Sequence, residues 1–285
     1  MKTPKGLQAL IDDGKVDAVV RQLKSGKEAS VYVVACGDQI RCAKVYKDAE
    51  HRGFHKLAAY QEGRKARGSR DARAMAKRGR HGRKMQDAEW TNAEVTALYR
   101  LAHAGVRVPT PYGVYDRVLL MELVVDAQGE PAPRLNDVQM SAQQALLWHA
   151  FTIQQIVRML CAGLIHGDLS EYNILLAADG PVIIDLPQAV NAAGNLEAPA
   201  MLERDVNNLA TYFGRFAPAL LDTSYGKEIW SLYEAGALHV DAKLTGRVEL
   251  DTTPIDLEGV LQELEDTRLD EEARLRYEQS LRSGT

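Results

Sequence analysis

Three side chains of the kind that hold phosphate or divalent metal follow one another between Leu164 and Gln188: Asp168, Asn173 and Asp185. The run His166-Gly167-Asp168-Leu169-Ser170-Glu171-Tyr172-Asn173 leads into Ile174-Leu175-Leu176, a Gly-containing turn, and Val182-Ile183-Ile184-Asp185. Apolar strand-like runs therefore flank a polar loop, which sets the carboxylates and the amide at strand ends, where backbone is rigid and side chains are open to a ligand. A His-x-Asp, an Asn five positions after that Asp, and a further Asp on the next strand form a spacing suited to phosphoryl transfer. The first Asp orients or deprotonates the attacking hydroxyl, and the Asn and second Asp hold ions that neutralise the transferring phosphate. A lone His-x-Asp is as readily a hairpin turn. Four matching positions in order favour the chemistry.

Other elements must bring a nucleotide to this loop. Val31-Tyr32-Val33-Val34-Ala35, a Gly37-Asp38 turn and Ile40 to Tyr46 predict a β-hairpin. The stretch from Ser25 to Tyr32 is then the loop over the phosphates, with Ser25, Lys27 and Ser30 as donors beside a single Gly26, and Lys44 on the following strand bonds the α- and β-phosphates. Trp90, Ala93, Glu94, Ala97, Leu98 and Leu101 recur at helical spacing. Glu94 falls on the core side, where an acid needs a partner, and Lys44 is the natural one. Tyr112–Tyr115 and Val118–Val124 predict two further strands. The Gly/Pro-rich connector Asp126–Arg134 then marks an interlobe hinge, where backbone groups of Glu122 and Val124 bond an adenine.

Residues 6–24 predict one or two short helices. Residues 141–163 predict a central helix, apolar on most sides and buried. Leu186 to Glu203 is irregular, and a helix opens at Glu203-Arg204-Asp205. Further helices are expected at Trp230–Leu238 and from about Asp256 to Leu281. Residues 51–85 carry twelve Lys and Arg against two acids, a net of +10, against −14 for the rest of a chain whose total is −4. Such a run is either a solvated charge segment or a surface for RNA or another polyanion. The domain reading is a helical extension over 1–24, a nucleotide-binding N-lobe over 25–124 with the basic insert 51–85, and a C-lobe over 125–285.

The 285 residues are 46% hydrophobic and 26% charged, ordinary proportions for a globular chain with an ample core. Three cysteines, Cys36, Cys42 and Cys161, lack metal-ligand spacing and argue against a disulfide framework. No signal-peptide core and no long apolar run occurs, so a cytoplasmic protein away from the membrane is expected.

Taken together, the landmarks resemble the RIO family of atypical protein kinases, most closely its type-one branch. The resemblance covers about residues 20–220 and rests on Ser25 to Tyr32, Ala43 to Lys47, Lys84-Met85, Trp90 with Glu94, Leu120 to Leu123, Pro131-Ala132-Pro133, His166 to Asn173, Ile184-Asp185, Gln188-Ala189-Val190 and Leu202-Glu203-Arg204-Asp205-Val206. It implies an α+β, two-lobed kinase-like fold with a small antiparallel N-terminal sheet and a mainly helical C-lobe. It also implies ATP with magnesium or manganese and serine/threonine phosphorylation of a protein substrate. By position, Lys44 holds phosphates, Glu94 pairs with it, Asp168 is the catalytic aspartate, and Asn173 and Asp185 bind metal. The family's aspartate at the place of Asp185 also accepts phosphate, which implies an ATPase cycle through an aspartyl-phosphate. Archaeal and eukaryotic members act in small ribosomal subunit maturation, so RNA or a ribosomal particle is an expected partner of the insert. The second branch carries an N-terminal winged helix, for which residues 1–24 are too short.

The chain departs from the family pattern in having Gly167 where Ala is frequent, a small-for-small exchange expected to be harmless. Leu186-Pro187 replaces the Phe-Gly of ordinary kinases, and Leu186 to Glu203 contains no Ser, Thr or Tyr, so activation by phosphorylating that segment is excluded. Two other readings compete. A small-molecule phosphotransferase of the aminoglycoside or choline type shares His-Gly-Asp, Asn and Asp. An ATP-switched RNA-binding protein would use the nucleotide only to lock a shape.

Overall fold

The computed structural model describes residues 3–47 and 93–247. The basic segment 51–85, with Lys84-Met85, and also Trp90 and the expected helix from Asp256 lie outside the described residues.

The N-terminal part is a five-stranded antiparallel sheet in the order β1-β2-β3-β5-β4, built from β1 (Ala18–Ser25), β2 (Ala29–Cys36), β3 (Gln39–Tyr46), β4 (Pro111–Tyr115) and β5 (Val118–Glu122). Strand alternation divides its residues between two cores. Val118 and Leu120 face helix α1 (Lys5–Asp12), whose Leu7 and Leu10 pack with Tyr32, Val34 and Ala43. Leu119, Ala29 and Tyr46 belong to the other core, with Ala97, Leu98 and Leu101 of helix α2 (93–103). The sheet is thus covered on both faces.

Here the helical reading of residues 6–24 needs correction. Helix α1 stops at Asp12, Gly14 adopts φ 66°, and Ala18–Ser25 is a strand of the sheet, so the N-lobe begins before residue 25. A left-handed glycine ends the helix, and the β-branched pair Val19-Val20 fits a pleated edge strand better than a helix. Two strands irregular in register, with shifts between Val19 and Arg21 and between Gln22 and Lys24, spoiled the alternation that would have marked β1.

The C-terminal part is mainly helical: α3 (Ala142–Cys161), α4 (Ala198–Gly214) and α5 (Tyr225–Glu234). Helix α3 opens with a capping box, Ser141 accepting from the Gln144 N–H while the Gln144 side chain accepts from the Ser141 N–H. Its first half buries only Ala145 and His149, and most of its burial lies in the second half. Thr152, Ile153, Ile156, Val157, Met159 and Leu160 are core, but Leu146 and Leu147 are exposed, contrary to a helix buried throughout. Helix α4 starts at Ala198 rather than Glu203, with Pro199 in its first turn, and α5 starts at Tyr225 rather than Trp230. Proline at a first turn loses no intrahelical bond, so Pro199 is compatible with the start of α4.

Two short ribbons carry the polar loop. Strand β6 (Leu164–Ile165) pairs with β9 (Val190–Asn191), and β7 (Ile174–Ala177) pairs with β8 (Gly180–Ile183). Asp168 and Asn173 lie between β6 and β7, and Asp185 lies between β8 and β9.

Candidate active site

The loop between β6 and β7 is held from below by helix α4. Asp205, 1% exposed, accepts from the Gly167 N–H at 2.7 Å and from the Leu169 N–H at 2.9 Å. Arg204 donates to the Gly167 carbonyl at 2.5 Å and Asn208 to the Leu169 carbonyl at 3.1 Å. Three side chains of one helix thus bond the backbone on both sides of Asp168. Burial pushes the Asp205 carboxyl above its ordinary range, against the pull of His166 and the two N–H groups. His166 fixes the neighbouring loop as well. Its Nδ1 accepts from the Asp168 N–H at 3.3 Å, so Nε2 carries the proton and donates to the Ile184 carbonyl at 3.0 Å. One imidazole therefore ties the Asp168 loop to the residue before Asp185.

Asn173 donates through Nδ2 to the Asp168 carbonyl at 2.9 Å, which fixes the amide so that its Oδ1 is the end able to face a cation. Gln188 donates to Asp168 Oδ2 at 3.2 Å. Asp185 adopts φ 68°, a left-handed conformation that costs a non-glycine residue about 1 kcal/mol or more and is retained where surrounding structure enforces it.

Lys44 on β3 joins these loops to the sheet. Its Nζ donates to Glu94 Oε1 at 2.5 Å and to Asp185 Oδ1 at 3.2 Å. Glu94, on α2, accepts at Oε2 from the Tyr46 hydroxyl at 2.9 Å, so a buried carboxylate has a partner for each oxygen. Burial works against charge on Lys44, but Glu94 first and then Asp185 outweigh it and raise its pKa above the ordinary lysine value. The Tyr46 phenol is pushed up by burial and by Glu94, which keeps it a donor. At Asp185 burial is the largest influence and pulls upward, yet the Lys44 ammonium, aided by His166 and Arg134, holds the carboxyl below its usual range.

The loop predicted over the phosphates is the β1–β2 turn. Ser25 and Ser30 hydroxyls meet at 3.2 Å, and Lys47 donates to Ser25 Oγ at 3.1 Å and to the Gly26 carbonyl at 2.6 Å. Lys27 is exposed at the tip. At the predicted hinge the Glu122 N–H donates to the Thr110 carbonyl at 2.8 Å and the Val124 carbonyl accepts from the Ala132 N–H at 2.9 Å. The groups that an adenine edge would use are accordingly the other two, the Glu122 carbonyl and the Val124 N–H. The roles of Tyr46, Lys47, Gln188, Arg204, Asp205 and Asn208 escaped sequence reasoning, although all but Asn208 stand inside the stretches that carry the family resemblance.

A separate concavity of about 500 Å³ lies behind the connector, between Pro133, Trp148, Phe151 and the β7–β8 turn. It touches none of the residues around Lys44.

The family model described as the RIO domain matches residues 30–225. The chain belongs to the RIO family. A RIO-type serine/threonine-protein kinase Rio1 of Haloferax volcanii is 35% identical over 72% of this chain and 67% of its own length. The Rio1 protein of Methanocaldococcus jannaschii is 32% identical over 75% of the chain and 70% of its own length. The human serine/threonine-protein kinase RIO1 is 31% identical over 70% of the chain but only 34% of its own length. Among solved structures, the Rio2 kinase of Chaetomium thermophilum in an ADP/Mg²⁺-phosphoaspartate complex superposes with a TM-score of 0.56, at 22% identity, over 94% of this chain and 81% of that one. That likeness bears on the fold, which is the two-lobed α+β kinase-like fold expected. The three sequence relatives named here are Rio1 proteins, consistent with the type-one branch that the resemblance implied.

Proposed function

We propose that this RIO-family chain is an ATP- and Mg²⁺-dependent atypical serine/threonine protein kinase in which Asp185 also takes up phosphate, giving an ATPase cycle. The observation that carries the reading is the single ammonium of Lys44 shared between Glu94 of the N-lobe and Asp185 of the C-lobe. Its support from outside is that the archaeal relatives bear the name serine/threonine-protein kinase and that the Rio2 complex contains ADP, Mg²⁺ and a phosphoaspartate.

The donor set fits magnesium. Among the described residues no cluster of three or more His, Cys, Asp or Glu is gathered to cage an ion. Magnesium needs no such cage, since it keeps waters and is held by one or two protein oxygens together with substrate phosphates. Asp185 and the Asn173 Oδ1 are those oxygens, and the bound ion would offset charge on the transferring group. Lys44 orients the α- and β-phosphates, and Ser25, Lys27 and Ser30 lie at the loop over them. Asp168, fixed by Gln188 and by its clamped backbone, orients the attacking hydroxyl and takes its proton. In the ATPase branch a carboxylate oxygen of Asp185 attacks the γ-phosphorus as the bond to the ADP oxygen breaks. Water then cleaves the acyl phosphate, releasing inorganic phosphate and restoring the carboxylate.

Incubation with γ-labelled ATP followed by acid and hydroxylamine treatment tests this reading. Acid-stable label on protein indicates phosphoserine or phosphothreonine, and hydroxylamine-labile label indicates the acyl phosphate. Transfer to aminohydroxyl small molecules in preference to peptides would overturn it in favour of a small-molecule phosphotransferase. The net charge of +10 over residues 51–85 supports RNA or a ribosomal particle as a partner. RNA affinity that falls steeply with salt is the expected signature.

A further inference from the structure

Arg107 stands apart from the phosphate-binding groups, in the loop between α2 and β4, and its guanidinium is divided between carboxylates from two distant parts of the chain. Nη1 donates to Glu122 Oε2 at 3.0 Å and Nη2 to Glu122 Oε1 at 2.9 Å, a forked pair at the last residue of β5. Nε donates to Asp179 Oδ2 at 3.0 Å and Nη2 to Asp179 Oδ1 at 3.3 Å, in the turn between β7 and β8. The backbone of Arg107 is bonded too: its N–H donates to Gln155 Oε1 on α3 at 2.9 Å, and its carbonyl accepts from the Ile183 N–H of β8 at 2.9 Å. Glu122 Oε2 accepts in addition from the Thr110 N–H at 3.0 Å and the Thr110 hydroxyl at 3.2 Å. The side chain at the start of the connector is therefore gripped by Arg107 and Thr110, and Arg107 is itself anchored to C-lobe elements on both of its faces.

An arginine fork fixes a carboxylate in plane as well as in distance, which lysine cannot do. Both side chains of the pair are 24% exposed, so solvent screens the contact only in part. What the fork fixes is the residue whose carbonyl meets the base in the ATP reading above, on which this inference rests. A carbonyl oxygen held at hydrogen-bond distance accepts from a 6-amino purine and opposes the lone pairs of a 6-oxo purine. The same oxygen on a loosely held strand end can move aside for either. We propose that Arg107 is a specificity-determining positioning residue, which holds the Glu122 carbonyl where it selects an adenine nucleotide over a guanine nucleotide.

Titration calorimetry of the full chain with ATP and with GTP, alongside KM and kcat for ATP turnover, tests the inference. Arg107→Lys keeps the charge and loses the fork. Asp179→Asn, at an exposed turn, loosens the other side of the guanidinium and serves where Arg107→Lys does not fold. Each is expected to narrow the ratio of ATP to GTP affinity by roughly three- to tenfold, about the worth of one hydrogen bond, with the loss for ATP turnover falling on KM rather than kcat. A ratio that is unchanged in both folded variants, or equal weakening of both nucleotides, would overturn it and leave Arg107 a purely structural clasp. Wild-type protein that binds neither nucleotide would instead overturn the ATP reading itself.

Discussion

Lys44 Nζ and Asp185 Oδ1 lie 3.2 Å apart, joining a strand of the N-terminal sheet to a loop 141 residues later in the chain. The two halves of the candidate site are therefore already aligned, and on the proposed reading removing either Asp168 or Asp185 should cost turnover rather than assembly. Asp168→Ala is expected to lower kcat on the order of a hundredfold or more while ATP affinity largely survives. Asp185→Ala should abolish turnover and the hydroxylamine-labile label together. Single-turnover kinetics with labelled ATP reads both, and full activity in Asp168→Ala would refute the assignment.

Glu94 is buried with Lys44 and Tyr46 as its two partners. Lys44→Met strands that carboxylate and should cost about 3–5 kcal/mol of stability as well as activity. The double variant Lys44→Met/Glu94→Gln should regain much of the stability and none of the activity. Urea denaturation beside an ATPase assay separates the two effects. Tyr46→Phe, which deletes one buried hydrogen bond, should cost about 1–3 kcal/mol.

Gly167 has φ 81°, and a Cβ there would lie 2.7 Å from Met201 Cε and 2.8 Å from the Gln188 carbonyl oxygen. The exchange for alanine expected to be harmless is therefore strained in this chain. The methionine end can move but the carbonyl is backbone, and the conformation itself disfavours a side chain. Gly167→Ala should destabilise by about 1–3 kcal/mol and displace Asp168, lowering kcat as well as the melting temperature. A melting temperature and kcat equal to those of the parent would show that the loop adapts freely.

His149 is buried against the rings of Phe213 and Tyr225, and nothing among the described residues hydrogen-bonds its Nε2. Burial pushes its pKa from 6.5 down to about 4, so the folded form holds the neutral imidazole. Between those values the unfolded chain takes up a proton that the folded chain does not. Stability from this source is present above pH 6.5, falls as pH drops, and levels off below about 4, with a loss near 3 kcal/mol. His149→Leu should flatten that part of the curve. Denaturation midpoints measured from pH 7.5 to 4 give the comparison, and an identical slope in the variant would rule out His149 as its source.

Much of the architecture was legible because strong local signals agreed. The hairpin around Gly37-Asp38, the strands before the connector and the capped start at Ser141 all combine patterning with turn or cap chemistry. The strand Ala18–Ser25 was not legible, since it is an irregular edge strand and its apolar residues fall at spacings a helix also allows. The start of α4 was missed for a related reason: Pro199 reads as a breaker until its neighbours show it in a first turn.

What the sequence determined by itself was the order and chemical kind of the candidate site groups, Lys44, Glu94, Asp168, Asn173 and Asp185, embedded in stretches particular enough to point to the RIO family. Residue type and spacing are local quantities, and a loop between two strands constrains them tightly. Only the tertiary structure decided how those groups are held. Asp205 and Arg204 of α4 bonding the backbone of Gly167, Tyr46 completing Glu94, and Arg107 joining Glu122 to Asp179 are contacts between segments tens of residues apart. Their existence depends on how helices and sheet stack, and no periodicity along the chain encodes which side chain will meet which backbone group across that distance.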